Sequence, residues 1–192
     1  NRRNRKDTDL FSLYKQGVQL DAEGRYSLTP EKEALAIAFG QLLNCNYKGT
    51  RPCEKCSSCI RFNKLQHESL NLIVPLPQSR TSKNEMDNSV LSILNQEINT
   101  KSEDHYYKIK IPKAKRILIQ SIRALRKTLY LKSEQNFRKV VLIFDAHFLS
   151  AGQAESANAL LKLLEEPPSN TTLILVTDYK ELLLPTIISR CQ

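Results

Sequence analysis

Tryptophan is absent, and aromatic residues make up only 7% of the chain, so the sequence offers no platform for stacking exposed bases. No run of about 18 uncharged apolar residues occurs, which removes a membrane-spanning helix. The amino end, NRRNRKDTD, has no apolar core of the kind a secretory signal needs, and a cytoplasmic setting is the expectation. Glycine is scarce, with five in 192 residues, and nowhere does it form G-x-x-x-x-G-K-[ST]. Without such a loop, backbone N–H groups cannot wrap a phosphate chain. The only methionine is Met86, the first residue is Asn1 and the last stretch is SRCQ, a pattern expected of a fragment of a longer chain.

What is present is an ordinary globular composition, with 41% hydrophobic residues, enough for one sizeable domain. The formal charge of +9, from 29 basic and 20 acidic side chains, suits a polyanionic partner but equally suits simple solubility. Gly17, Gly24 and Pro30 interrupt the first 30 residues. A helix is predicted from Glu31 through EKEALAIAFGQLLNC, with apolar residues at 34, 35, 38, 39, 42 and 43 forming one buried stripe. SLNLIVP reads as a short strand ended by Pro75. Residues 77–107 are polar and charged, with one possible helix at NSVLSILNQEI, and are predicted to be a surface insertion.

The segment PKAKRILIQSIRALRKTLYL predicts a helix starting at Pro112, with Ala114, Ile117, Leu118, Ile122, Leu125 and Leu129 on one face. Its basic outer face reads either as solvated or as a stripe facing DNA. KVVLIFD is a continuous apolar run of the kind covered on both faces at the centre of a parallel sheet. Ser150 with Gln153 predicts a capping box for the next helix, which Pro167-Pro168 ends, and TTLILVT supplies another buried strand. Strands alternating with amphipathic helices predict an α/β domain with a mainly parallel sheet flanked by helices.

Cys45, Cys53, Cys56 and Cys59 crowd into 15 residues. Two-residue gaps let neighbouring thiolates reach one tetrahedral Zn²⁺ at about 2.3 Å, and four of them close its shell, which points to a structural site. A redox dithiol or merely buried cysteines are the alternatives. His67 is not needed as a ligand, since the shell is already full, and reads as a structural hydrogen-bonding residue.

The helix, the EEPP turn, the LVT strand and the terminal SRC in SANALLKLLEEPPSNTTLILVTDYKELLLPTIISRCQ resemble the amino-terminal AAA+ module of bacterial DNA polymerase III clamp-loader subunits. The cysteine cluster after the first helix fits the same family. The resemblance covers residues 31–75 and 108–192. It implies a P-loop-NTPase-like AAA+ domain over 1–192, with a zinc module inserted at 45–75 and a polar insertion at 77–107. It also carries roles onto single positions. Thr177 matches the sensor-1 position and Arg190, in Ser189-Arg190-Cys191, matches an arginine finger that stabilises charge on a nucleotide held by a neighbouring subunit. The other reading of Arg190 is a cap on the preceding helix or a partner for an acid.

Two departures from that family bear on ATP. Asp145 keeps the second acidic position of Walker B, but Phe144 stands in the first, where an apolar ring cannot hold Mg²⁺. YSLTPEKEAL occupies the place of the phosphate loop, with Lys32 and Glu33 roughly where lysine and threonine belong. Pro30-Glu31 is abrupt, and a skipped stretch there would separate the two Cα atoms by much more than about 3.8 Å. With no such gap, the resemblance implies a delta-prime-like subunit that neither binds nor hydrolyses ATP and serves the gamma/tau ATPases and delta in loading a sliding clamp onto primed DNA. The alternatives are a gamma/tau-type ATPase whose phosphate loop is missing from the sequence, in which Lys32 would meet the nucleotide, and an unrelated zinc-bearing nucleic-acid module.

Overall fold

The computed structural model describes residues 19–20, 26–27, 29–47, 49–78, 88–131 and 137–191. Two two-residue strands, β1 (Gln19–Leu20) and β2 (Tyr26–Ser27), pair antiparallel ahead of helix α1 (Thr29–Leu43). Then come α2 (Ser57–Asn63), β3 (Leu70–Ile73), α3 (Asn88–Glu103), α4 (Ile119–Tyr130) and β4 (Lys139–Ile143). A 3₁₀ turn, Ala146–Ser150, leads into α5 (Glu155–Glu165), β5 (Thr171–Leu175) and the short α6 (Pro185–Ile188). Strands β3, β4 and β5 form a parallel sheet in that order, so the expected α/β layering is present. Among the described residues no helix is long and apolar enough to cross a membrane.

KVVLI forms the central strand because both its faces are apolar. Alternation along β4 sends Val141 and Ile143 to one face, against Ile122, Leu125 and Leu129 of α4, Leu160 of α5 and Ile187 of α6. It sends Val140 and Leu142, with Phe144 beyond, to the other face, against Ala36 and Ile37 of α1 and Phe62 of α2. The four residues Val140 to Ile143 are each 0% exposed, and at roughly 1.5–3 kcal/mol per buried aliphatic side chain this strand alone contributes on the order of 10 kcal/mol of gross burial energy.

Three local expectations are corrected. Helix α1 does not bury the stripe at 34, 35, 38, 39, 42 and 43, for Leu35 is 44% and Phe39 45% exposed. The buried face is Glu33, Ala36, Ile37, Gly40, Gln41 and Asn44. Close approach to the sheet decides this: a Cβ on Gly40 would lie 3.0 Å from Val140 Cγ1 and 3.2 Å from Phe62 Cε1, so only small residues fit between. The two buried amides are satisfied, Gln41 donating to the Cys59 carbonyl (3.1 Å) and Asn44 to the Arg138 carbonyl (2.9 Å).

Helix α4 begins at Ile119 rather than Pro112. Lys113 has a left-handed φ of 61°, and the chain beyond it is tied to other elements, Leu76 N–H donating to Arg116 O (2.9 Å) and Ile117 N–H to Phe148 O (3.2 Å). Ser150 does not cap α5. It ends the 3₁₀ turn with its buried hydroxyl unpartnered, and α5 starts instead after Ala154, at φ 54°. Ser156, two residues later, sends its hydroxyl to the Ile117 carbonyl at 2.6 Å, so a contact across the fold replaces the local cap.

Candidate functional site

The four clustered cysteines come together as their spacing predicts. Their Sγ atoms all lie within 4.8 Å of one another, and Cys53 Sγ and Cys59 Sγ are 3.8 Å apart. A tetrahedron of sulfurs around Zn²⁺ at about 2.3 Å has edges of about 3.8 Å, so the donors fit a metal ion such as zinc. Backbone N–H groups of Cys53, Cys56 and Cys59 point at the sulfurs of Cys45, Cys53 and Cys56, each at 3.4 Å. Burial pushes the Cys56 thiol up, but N–H groups of Asn46 and Cys59 outweigh it and hold Cys56 at about 6. Burial, with the neighbouring sulfurs, pushes Cys59 up to about 12. A divalent cation at the centre would deprotonate this last thiol.

His67 lies under this module, not in it. Its ring is 3% exposed, tilted against Phe62 and edge-on to Phe137. Ser69 donates to Nδ1 from both its N–H (3.2 Å) and its hydroxyl (2.8 Å), which puts the ring proton on Nε2, 3.0 Å from Ser58 Oγ. The structural reading of His67 therefore holds, and its bonds join the cysteine module to the start of β3.

The carboxyl edge of the parallel sheet, where α/β folds usually bind ligands, gathers Lys32, Glu33, Phe144, Asp145 and Thr177. Phe144 is 1% exposed, its side chain packed into the core on the α1 side. Asp145 turns the chain with φ 48°, a conformation that Asp tolerates better than most residues, and its carboxylate accepts from Lys108 Nζ at 2.8 Å. Thr177 follows β5, and its hydroxyl lies 3.0 Å from His147 Nδ1 while accepting from Tyr179 N–H at 3.1 Å. Burial lowers the pKa of His147 from the ordinary imidazole value, against the pull of Asp145. Lys32 does not face an open cradle, for its ammonium is 2.8 Å from Asp178 and 3.4 Å from the Thr177 carbonyl.

Glu33 meets Lys101, the last-turn lysine of α3, at 2.5 Å. The Lys101 side chain is fully buried, its Nζ also donates to the carbonyls of His105 (2.8 Å) and Tyr107 (2.7 Å), and it stands 5.3 Å from the Phe144 ring centroid. Burial raises the Glu33 pKa and lowers that of Lys101, and each opposes the other's shift with its charge. The remaining cleft, about 240 Å³, is lined by Glu33, Ile109, Lys110, Phe144, Asp145 and Phe148, below the roughly 300–1,000 Å³ of typical small-molecule pockets. Lys101 and Lys108 were not singled out from sequence. The available signal was that Lys101 continues the stripe of Val90 and Leu94, the apolar side of α3.

Arg190 lies apart from this edge. Its Nη2 is 2.6 Å from Oε1 of Glu165, the last residue of α5, and its Nη1 donates to the Thr186 carbonyl at 2.9 Å. The side chain remains 35% exposed, so both bonds face solvent.

These features define an α/β domain with a metal-type cysteine module and a sheet edge at which Lys32, Glu33 and Asp145 are each paired with a charge of the same chain. The chain belongs to the family described as DNA polymerase III, delta subunit, whose model matches residues 26–192. It is 29% identical over 157 residues to DNA polymerase III subunit delta' of Bacillus subtilis (strain 168), covering 82% of this chain and 36% of that protein. It is 30% identical over 161 residues to DNA polymerase III subunit gamma of Buchnera aphidicola subsp. Baizongia pistaciae, covering 83% and 32%. A solved gamma subunit-related protein of DNA polymerase III from Thermotoga maritima matches at 25% identity and TM-score 0.37, over 65% of this chain and 40% of that one. The chain thus spans about a third of the length of these curated relatives. Membership of this family, read earlier from EEPP, SRC and the cysteines, speaks against an unrelated zinc-bearing module.

Proposed function

We propose that the chain acts as a delta-prime-like, non-hydrolysing subunit of the DNA polymerase III clamp loader, within the cytoplasm. In this reading Cys45, Cys53, Cys56 and Cys59 hold a structural Zn²⁺, and Arg190 is offered to ATP bound by a neighbouring gamma/tau-type subunit. Through the assembled complex, with delta, it supports opening of the sliding clamp onto primed DNA.

The observation that carries the reading is Phe144. An aromatic ring, 1% exposed, fills the position from which an acid would hold Mg²⁺. Asp145 and Lys32, the residues nearest in type to nucleotide-site groups, are both engaged by charges of the same chain. Arg190 is the reverse case, half-open to solvent and restrained only by surface bonds, which are worth about 0–1 kcal/mol and are easily exchanged for a phosphate. The relative named gamma favours a second reading, an ATPase in its own right. Tight Mg²⁺-dependent binding of labelled ATP by the full-length subunit would select that one.

The deciding experiment is reconstitution of the loader with Arg190→Ala and measurement of DNA-stimulated ATP turnover by the partner subunits. Turnover is expected to fall about tenfold or more while assembly persists. Unchanged turnover removes the finger assignment.

A further inference from the structure

The excursion between β3 and α4 contributes two cations to the sheet edge. Lys101, from the end of α3, reaches Glu33 on α1, and Lys108, seven residues on, reaches Asp145 beyond β4. A third pair, Lys32 to Asp178, ties α1 to the segment after β5. We infer that residues 88–108 are a built-in occupant of the carboxyl-edge cleft, their two ammonium groups serving as tethered cations for Glu33 and Asp145. The three pairs tie α1, the end of β4 and the segment after β5 to one another through charges of the chain itself. This inference rests on the non-hydrolysing reading and adds what closes the site and keeps its geometry independent of nucleotide.

The chemistry favours a lock over a chance surface contact. Glu33 is 1% exposed and Lys101 0%, so neither charge has water to turn to. Two lone carbonyls, of His105 and Tyr107, complete the ammonium's three donors. The Phe144 ring stands 5.3 Å from it, within cation–π range. Phe144 therefore suits a site whose cation is an ammonium carried on the chain, just as it fails one whose cation is a metal. Buried charge pairs of this sort contribute little net stability relative to an apolar replacement, but removing one partner strands the other. A lock of this kind explains why a mainly polar stretch carries a fully buried lysine.

The test uses the full-length chain and thermal melting, with amide hydrogen exchange alongside. Lys101→Met keeps the aliphatic stem and removes the charge, and it is expected to lower Tm by about 10 °C. Glu33→Gln with Lys101→Met removes both charges and is expected to recover at least half of that loss. In the single variant, exchange in Thr29–Leu43 and Asn88–Glu103 should accelerate together by tenfold or more, and Mg-ATP should leave the wild-type Tm unchanged.

If Lys101→Met fails to fold, recovery of a folded protein in the double variant carries the test. A single variant within about 2 °C of wild type, or a double variant as unstable as the single, overturns the lock. Neither of those outcomes touches the Arg190 assignment. Conversely, ATP binding by the wild type sinks the non-hydrolysing reading while the melting comparison still reports on the pair.

Discussion

Chelating the metal proposed for the cysteine module is the perturbation whose size the structure fixes best. Cys59 is 0% exposed and Cys56 caps α2 by accepting from Cys59 N–H. The same turn presents Phe62, 0% exposed, to the core, and the Cys59 carbonyl satisfies the buried Gln41 amide. If the module frays when the metal leaves, Phe62 loses about 1.5–3 kcal/mol of burial and Gln41 is stranded at about 1–3 kcal/mol. Mass action gives a similar figure, since a metal at a thousand times its Kd stabilises by about 4.1 kcal/mol. For a domain of this size each kcal/mol moves Tm by about 2–4 °C, so chelation should lower Tm by roughly 8–16 °C.

Thiol titration provides the second assay. Of five cysteines, four are in the cluster and Cys191 is outside it, so one thiol should react readily in the zinc-loaded protein and five after chelation. The reasoning is refuted if all five react alike before chelation, or if chelation leaves Tm within about 2 °C.

Two further outcomes follow from the packing. Gly40→Ala gains about 1 kcal/mol of helix propensity but drives a methyl within 3.0 Å of Val140 and 3.2 Å of Phe62. Overpacking costs typically about 1–3 kcal/mol, so denaturant unfolding should show a net loss of about 1 kcal/mol, and a gain would mean that the two side chains yield freely. Burial lowers the pKa of His67 below the ordinary value, so the unfolded chain takes up a proton that the folded one refuses. Its contribution is fully present above about pH 6.5 and falls as pH drops below that, with a slope of at most about 1.4 kcal/mol per pH unit. At saturating zinc, His67→Asn should flatten the acid limb of the stability curve, and an unaltered slope would assign that limb to other groups.

How much of this could be read along the chain depends on the range of the interaction. The cysteine cluster was legible because its four sulfurs lie within 15 residues, a spacing short enough to bring them together. β4 and β5 were legible because a strand covered on both faces needs an apolar run whichever helices cover it. The stop at Pro167-Pro168 needed only the local backbone. His67 was read as a structural residue because four sulfurs suffice for a tetrahedron, and its ring bonds Ser58 and Ser69.

Other features had no local cause. The larger apolar residues of α1 suggested one face, but the sheet selected the face with Ala36, Ile37 and Gly40, since helix and strand approach too closely there for Leu35 or Phe39. Ser150 had the spacing of a cap, yet tertiary bonds moved the start of α5 by several residues. Lys32 found Asp178 across 146 positions and Glu33 found Lys101 across 68. Sequence by itself determined the three strands of the parallel sheet, the metal-type module and the family, because each is written in neighbouring residues. Only the folded chain decided which charges meet at the sheet edge, because a buried ion pair depends on where distant segments cross and leaves no periodic mark on either one.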